Sequence, residues 1–208
     1  MAQKQDRVSF VSRGFRGKRR DAASGARIPP GQHVVVDFPV LSAGPTPHTS
    51  LDEWSFSIVG EIDEPKRWSW AEFRKLPAET FSTDIHCVTT WSKLDTSWTG
   101  VSVDTLLEGV DTAAEFATAF ADGGYTTNLP LDELTGHKAW VVFDYGGQPL
   151  HPEHGGPARL LVPHLYLWKS AKWVRGIALQ NDEQPGFWES NGYHILGDPW
   201  RQQRYWGD

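Results

Sequence analysis

Residues 80–98 read TFSTDIHCVTTWSKLDTSW and hold the only cysteine of the chain, Cys87. Phe81, Thr83 and Ile85 alternate with polar neighbours, the period-2 pattern of a half-buried strand. Cys87 is therefore expected at or just past the C-terminal end of that strand, in an exposed, site-forming place. Adjacent strand residues point to opposite faces, so His86 does not readily serve Cys87 as a base if the strand runs through both. The flanking Thr89, Thr90, Trp91, Ser92 and Lys93 are polar and aromatic, more a pocket's lining than a core's.

Outward from this stretch the chain alternates short elements. EWSFSIVGEI (53–62) sets Trp54, Phe56 and Ile58 on one face of a strand. SWAEFRKLP (69–77) opens with Ser69 and has Glu72 three residues on, a capping box for a short helix that Pro77 ends. SVDTLLEGV (102–110) predicts a helix stopped near Gly109, and EFATAFADGGYTTNLPL (115–131) a hairpin turning at Asp122-Gly123-Gly124. KAWVVFDYGG, ARLLVP and KWVRGIAL predict further strands, whereas IPPGQHVVVDFPVLSAGPTPHT (28–49), rich in Pro and Gly, is expected to wrap over the surface. Many short strands with scattered short helices predict an α+β fold with mixed β-sheets.

With 208 residues, 14 Pro, 20 Gly and 11 Trp, the chain is long enough for a substantial core and too punctuated for long helical bundles. The expected organisation is a basic N-terminal arm, 1–29, followed by one domain, 30–208. No run approaches the roughly 18 apolar residues of a membrane span, and charges near the N-terminus stand where a signal peptide needs apolar residues. Arg19-Arg20 precede DAASGARIPPGQ rather than a hydrophobic run, so a cytoplasmic location is expected. The net charge of −6 and the acidic balance of the chain beyond its basic arm give no reason to expect nucleic acid.

One thiol excludes an intramolecular disulfide and any all-cysteine zinc or iron–sulfur site built by this chain alone. Buried packing, a nucleophile and a soft-metal ligand remain open for Cys87. A Cys–His hydrolase would draw its base from His86, His154 or His164, and a zinc site would join Cys87 to His151 and His154. A second cluster, EHGGPARLLVPHLYLWKSAKWVRGI (153–177), gathers His154, Arg159, Lys169 and Lys172 around glycines and Ser170-Ala171. Glycine lets backbone amides approach an anion and the cations supply charge, so a phosphate-bearing or polyoxygenated ligand would explain it, as would plain surface charge.

Together the two segments resemble the sulfite-oxidase-type molybdopterin oxidoreductases. HCVTTWSKLDTSWTGVSVDTLL (86–107) looks like the part of that family in which a cysteine ligates molybdenum, followed by Trp-x-Gly-Val and, further on, Leu-Leu. HGGPARLLVPHLYLWKSAKWV (154–174) is similar to its second signature, His-Gly-x-Pro-x-Arg, then Val-Pro, then Lys-Trp. The resemblance implies the family's fold, a molybdenum cofactor (molybdopterin with Mo), and Cys87 as the metal ligand. It implies that His154, Arg159, Ser170, Ala171 and Lys172 hold the pterin and its phosphate, with Lys169 and Thr89 beside them. His86, Trp91 and Lys93 are expected to shape the substrate pocket.

Sulfite oxidases carry paired arginines a few residues after the ligating cysteine, where this chain has Trp91 and Ser92. That difference turns the expectation from sulfite toward oxygen-atom transfer to or from another small, sulfur-containing substrate, as in the family's bacterial branch that reduces oxidised sulfur compounds. Neither a haem domain nor an immunoglobulin-like domain fits in the remaining length. Electrons are therefore expected to be exchanged with a separate haem, flavin or iron–sulfur protein. A non-catalytic pterin-binding protein would keep the second cluster without needing the thiol.

Overall fold

A computed structural model describes residues 26–208. Most of the predicted basic arm, residues 1–25, lies outside the described residues. The described part of that arm is tied down: Arg27 bonds both Asp84 and Asp95, and Pro29 is buried.

Among the described residues eleven strands form two mixed sheets. In chain order they are β1 (His33–Val34), β2 (Ser55–Gly60), β3 (Lys66–Ser69), β4 (Glu79–His86), β5 (Trp91–Ser102), β6 (Phe116–Ala121), β7 (Thr126–Pro130), β8 (Trp140–Tyr145), β9 (Gln148–Pro149), β10 (Arg159–Leu161) and β11 (Val174–Gln180). One sheet runs β1-β5-β8-β10, with β4 also on β5 and β9 on β8; the other runs β3-β2-β11-β6-β7. β11 pairs in parallel with β2 and antiparallel with β6.

Among the described residues two short α-helices punctuate them. α1 (Trp70–Phe73) starts with both bonds of the expected capping box, Ser69 to Glu72 and back. It stops at Phe73, before Pro77, because Lys75 and Leu76 donate to carbonyls three residues back and tighten the chain into turns. α2 (Val103–Leu107) ends two residues before Gly109, whose φ of +70° suits glycine.

The alternation in 53–62 places Trp54, Phe56 and Ile58 in the core, each at most 1% exposed. They pack with Phe73, Val101, Val141, Phe143, Leu160, Ala119 and Ile177 in one large cluster drawn from both sheets. Burying each large apolar group stabilises the fold by roughly 1.5–3 kcal/mol. The alternate residues of the six-stranded sheet, Trp98, Trp140, Val142 and Leu161, join Ile85, Cys87 and Trp91 in a second, aromatic cluster on its other face. The site lies beside this second cluster. Residues 35–53 contain no regular element and cross the surface as a strap, as the Pro- and Gly-rich composition of 28–49 predicts.

Candidate functional site

Cys87 follows the last residue of β4, as the alternation predicts, but the thiol is buried (8% exposed) rather than exposed. Its amide donates to the Trp91 carbonyl and its own carbonyl accepts from Thr90, closing a tight turn between β4 and β5. Thr90 takes a φ of +72° in that turn. The Thr89 hydroxyl donates to Sγ at 3.1 Å. Burial pushes the Cys87 thiol up, against the pull of Thr89, the Thr89 and Val88 amides and the charge of Arg159.

Sγ faces a cavity of about 670 Å³. Cys87, Thr89 and Trp91 form part of its wall, with Arg159, Ser170 and Lys172 from the second segment. The segments are 67 residues apart at Cys87 and His154 in sequence; β8 joins them, pairing with β5 on one side and β10 on the other. Arg159 is 2% exposed, and its guanidinium donates only to carbonyls, those of His154 (2.9 Å), Ser170 (2.8 Å) and Leu160 (3.5 Å). Lys172 likewise donates to the carbonyls of Leu41 (2.7 Å) and Glu153 (2.6 Å). Neither cation has a carboxylate partner among the described residues. Burial lowers Arg159 to about 10, and burial with the neighbouring Arg159 lowers Lys172 to about 8. Two cations without counter-charge beside a thiol make a receptor for an anion that also offers a bond to sulfur.

Buried polar atoms without partners lie near the same wall: Nε1 of Trp91 and Nδ1 of His154. His154 stacks on Phe38 at 4.0 Å, and burial followed by the charge of Arg159 lowers it to about 4, so its imidazole is neutral. Ser170 Oγ accepts from the Val162 amide at 2.9 Å, which leaves its proton free to donate.

Several expected site residues stand elsewhere. His86 points to the opposite face from Cys87, where Nδ1 meets Ser92 Oγ at 2.8 Å. Lys93 binds the Val36 carbonyl and holds down the strap. Lys169 is fully buried behind the wall, paired with Glu189 and donating to the Asn128 carbonyl at 2.6 Å. Ala171 packs in the core, its carbonyl accepting from Leu160. The glycine amides expected to meet an anion are already used in a turn: Gly155 donates to Pro152 and Gly156 to His151. Glycine is required there for packing, since a Cβ on Gly156 would lie 2.0 Å from the Leu150 carbonyl oxygen.

The hydrolase and zinc readings lose their geometry. Sγ's hydrogen-bond partner is Thr89, while His164 bonds Glu133 and His154 stacks on Phe38. Among the described residues no three His, Cys, Asp or Glu side chains gather as a metal set.

Sequence reading missed the rest of the wall. The strap supplies Phe38, Leu41 and Pro45; Tyr125, Trp168, Trp173, Phe187, Trp188 and Tyr193 supply an aromatic side. The high tryptophan count was the available signal, but nothing local says which ring faces a cavity.

Residues 43–188 match the family model described as the oxidoreductase molybdopterin-binding domain. An uncharacterised oxidoreductase, YuiH of Bacillus subtilis, is 43% identical over 92% of this chain and 98% of its own length. The protein-methionine-sulfoxide reductase catalytic subunit MsrP of Campylobacter jejuni is 28% identical over 68% of this chain, a match that spans 54% of MsrP. In three dimensions the sulfane dehydrogenase SoxCD of Paracoccus pantotrophus superposes with a TM-score of 0.60 at 17% identity, covering 85% of this chain and 56% of that one, and so shares its fold. With most of its length inside the family model and a relative matched almost end to end, the chain belongs to the oxidoreductase molybdopterin-binding domain family and is an oxidoreductase that carries the molybdenum cofactor.

Proposed function

We propose that this enzyme moves an oxygen atom between its cofactor and a small, sulfur-containing substrate, working as a sulfoxide reductase with electrons from a separate redox protein. One observation carries the reading. Among the side chains lining the cavity only Arg159 and Lys172 are cationic, and the remainder is mostly aromatic and aliphatic around Cys87. With both cations engaged by the cofactor's phosphate, the wall left for substrate suits a neutral sulfoxide better than the sulfite dianion. Trp91 takes its place in that wall, whereas Ser92 is fully buried behind it against His86 and Gln32. The relation to MsrP, whose name states sulfoxide reduction by a catalytic subunit, supports both substrate class and separate partner.

The residues present fit the cofactor. Arg159 and Lys172 would hold its phosphate, and the Ser170 hydroxyl and the partnerless polar atoms of Trp91 and His154 would meet its polar edge. Cys87 would give the protein's sulfur ligand, as a thiolate once the metal displaces its proton. When bound, the cofactor supplies a metal that exchanges two electrons and an oxygen atom. The chain's own contribution is position and dryness: Thr89 orients Sγ, and Trp91, Trp168 and Trp188 screen the reacting atoms from water.

The test uses protein from a host that makes the cofactor, with molybdenum measured per chain. Reduced viologen is offered with methionine sulfoxide or dimethyl sulfoxide, and ferricyanide with sulfite. Faster sulfoxide reduction is expected; turnover only with sulfite would overturn the assignment.

A further inference from the structure

Resting on that reading, we propose that the buried Lys169–Glu189 pair positions the aromatic wall of the cavity, and that this wall makes the enzyme select sulfoxides with an aryl or similarly bulky apolar substituent over the smallest ones. Tyr125, Trp168, Phe187, Trp188 and Tyr193 form the wall. The rings hold one another: Tyr193 meets Trp168 edge-on with centroids 5.2 Å apart, Phe187 meets Trp188 in the same way at 5.1 Å, and Tyr193 tilts against Trp188 at 5.0 Å. They run from buried Trp168 to exposed Phe187, so a substituent much longer than a methyl group has aromatic surface to lie along. None carries a charge, so what they offer is apolar area rather than a further hold on a phosphate.

Phe187, Trp188 and Tyr193 ride on a loop stitched to the free edge of β7. The Phe187 amide donates to the Thr126 carbonyl at 2.9 Å, and the Gly186 amide to Asn128 Oδ1 at 3.1 Å. Glu189, 1% exposed, reaches inward from that loop. Its Oε1 pairs with Lys169 and accepts from the Thr127 hydroxyl at 2.9 Å and from Trp168 Nε1 at 3.2 Å. Lys169 follows Trp168 in the chain and also donates to the Asn128 carbonyl at 2.6 Å. One carboxylate therefore ties the rings of the loop to Trp168 and both to β7. The fit is close: Glu189 Oε2 lies against Gly186, where a Cβ would come within 2.6 Å of it.

Such a pair is a poor stabiliser. Two charges leave water, Oε2 has no hydrogen-bond partner among the described residues, and apolar side chains of similar volume would hold a core at least as well. Direction is what it adds, because three donors converging on one oxygen admit one arrangement of loop and strand. Burial lowers Lys169 to about 8 while Glu189 holds it up, so the pair is ionic at neutral pH. Neither ion lines the cavity, so both act on a substrate through the rings and are positioning residues.

Methyl phenyl sulfone and dimethyl sulfone are the probes, since a sulfone keeps the substituents and sulfur–oxygen dipole of a sulfoxide and stays intact on the oxidised enzyme. Their dissociation constants are measured by titration calorimetry on oxidised holoenzyme of the wild type, of Lys169→Met combined with Glu189→Gln, and of Thr127→Val. The double change removes both charges together and strands neither; Thr127→Val removes one donor to the carboxylate and carries the test if the double variant does not fold. Wild type is expected to bind the phenyl sulfone at least about tenfold more tightly than dimethyl sulfone. The double variant should lose about tenfold of that preference and Thr127→Val about threefold, with molybdenum per chain unchanged. With reduced viologen, the loss should appear in KM for methyl phenyl sulfoxide more than in kcat. A preference equal to wild type in the folded variants would overturn the proposal and make the pair purely architectural, and a wild type without the preference would overturn it as well. A wild type that shows the preference in binding yet reduces neither sulfoxide would instead refute the sulfoxide-reductase reading and leave the role of the pair standing.

Discussion

At the scale of single residues the site separates groups that carry chemistry from groups that hold shape. Cys87 makes one side-chain hydrogen bond and belongs to a cluster of seven other buried residues, so Cys87→Ser should keep the fold within about 1–2 kcal/mol. Thermal melting should confirm that, while viologen-driven sulfoxide reduction falls to background; retained turnover would remove the thiol from the chemistry. Asp84 gives the pH dependence. Burial would raise its carboxyl, but the Arg27 guanidinium, at 2.8 Å from Oδ2, and the Asp95 amide hold it below the usual range. A depressed folded-state value adds stability above the unfolded carboxyl's pKa of about 3.9, and that stability disappears as pH falls through the folded value. Asp84→Asn should therefore be less stable than wild type at pH 7, with a deficit that shrinks as pH falls through the folded carboxyl's lowered range, read from urea midpoints at each pH. A deficit that stays the same across the acid range would mean the carboxyl's charge is irrelevant. The family resemblance singled out Cys87, Arg159, Ser170 and Lys172 as one site, where residue types alone left both segments open. It misplaced His86, Lys93 and Lys169, because direction and burial depend on partners that are distant in sequence: Ser92 opposite His86, Glu189 against Lys169.

At the scale of elements, strands with clean alternation were legible and the longest strand was not. β5 spans 12 residues, yet its alternation is interrupted where Asp95 adopts a φ of +54° and the register against β4 shifts between Thr83 and Ile85. Its polar residues Ser92 and Thr96 are buried and held by hydrogen bonds, Ser92 with His86 and Thr96 to the Thr83 carbonyl, so period and composition both fail there. The hairpin of β6 and β7 succeeded because its turn glycines, Gly123 and Gly124, both need positive φ and so appear in the sequence. Gly176 has a different reason to be glycine. It sits mid-β11, and a Cβ there would lie 2.3 Å from Phe120 Cζ and 2.4 Å from the Ser57 carbonyl oxygen. Gly176→Ala should cost about 1–3 kcal/mol or more by pushing β2, β6 and β11 apart, visible as a lower urea midpoint. An unchanged midpoint would show that Phe120 moves aside freely.

At the scale of the whole molecule, two sheets and a strap close around a cavity whose cations form no ion pair with a carboxylate among the described residues. A chain folded this way keeps Arg159 and Lys172 desolvated whether or not an anion is present, which costs stability when the cavity holds only water. Binding of the cofactor to the folded state alone should restore it by mass action, about 2.7 kcal/mol when its concentration is a hundred times the dissociation constant. For a chain of this length that is a rise in Tm of roughly 5–11 °C on loading. Arg159→Met separates the two halves of this account. It removes the buried charge along with the bonds to the His154 and Ser170 carbonyls, so the cofactor-free variant should melt close to cofactor-free wild type. Loading should then raise its Tm far less, and molybdenum per chain should fall. If the variant instead kept both the full Tm rise and its molybdenum, Arg159 would be an architectural residue bridging two loops, and the anion would have to be held by Lys172 and Ser170 alone.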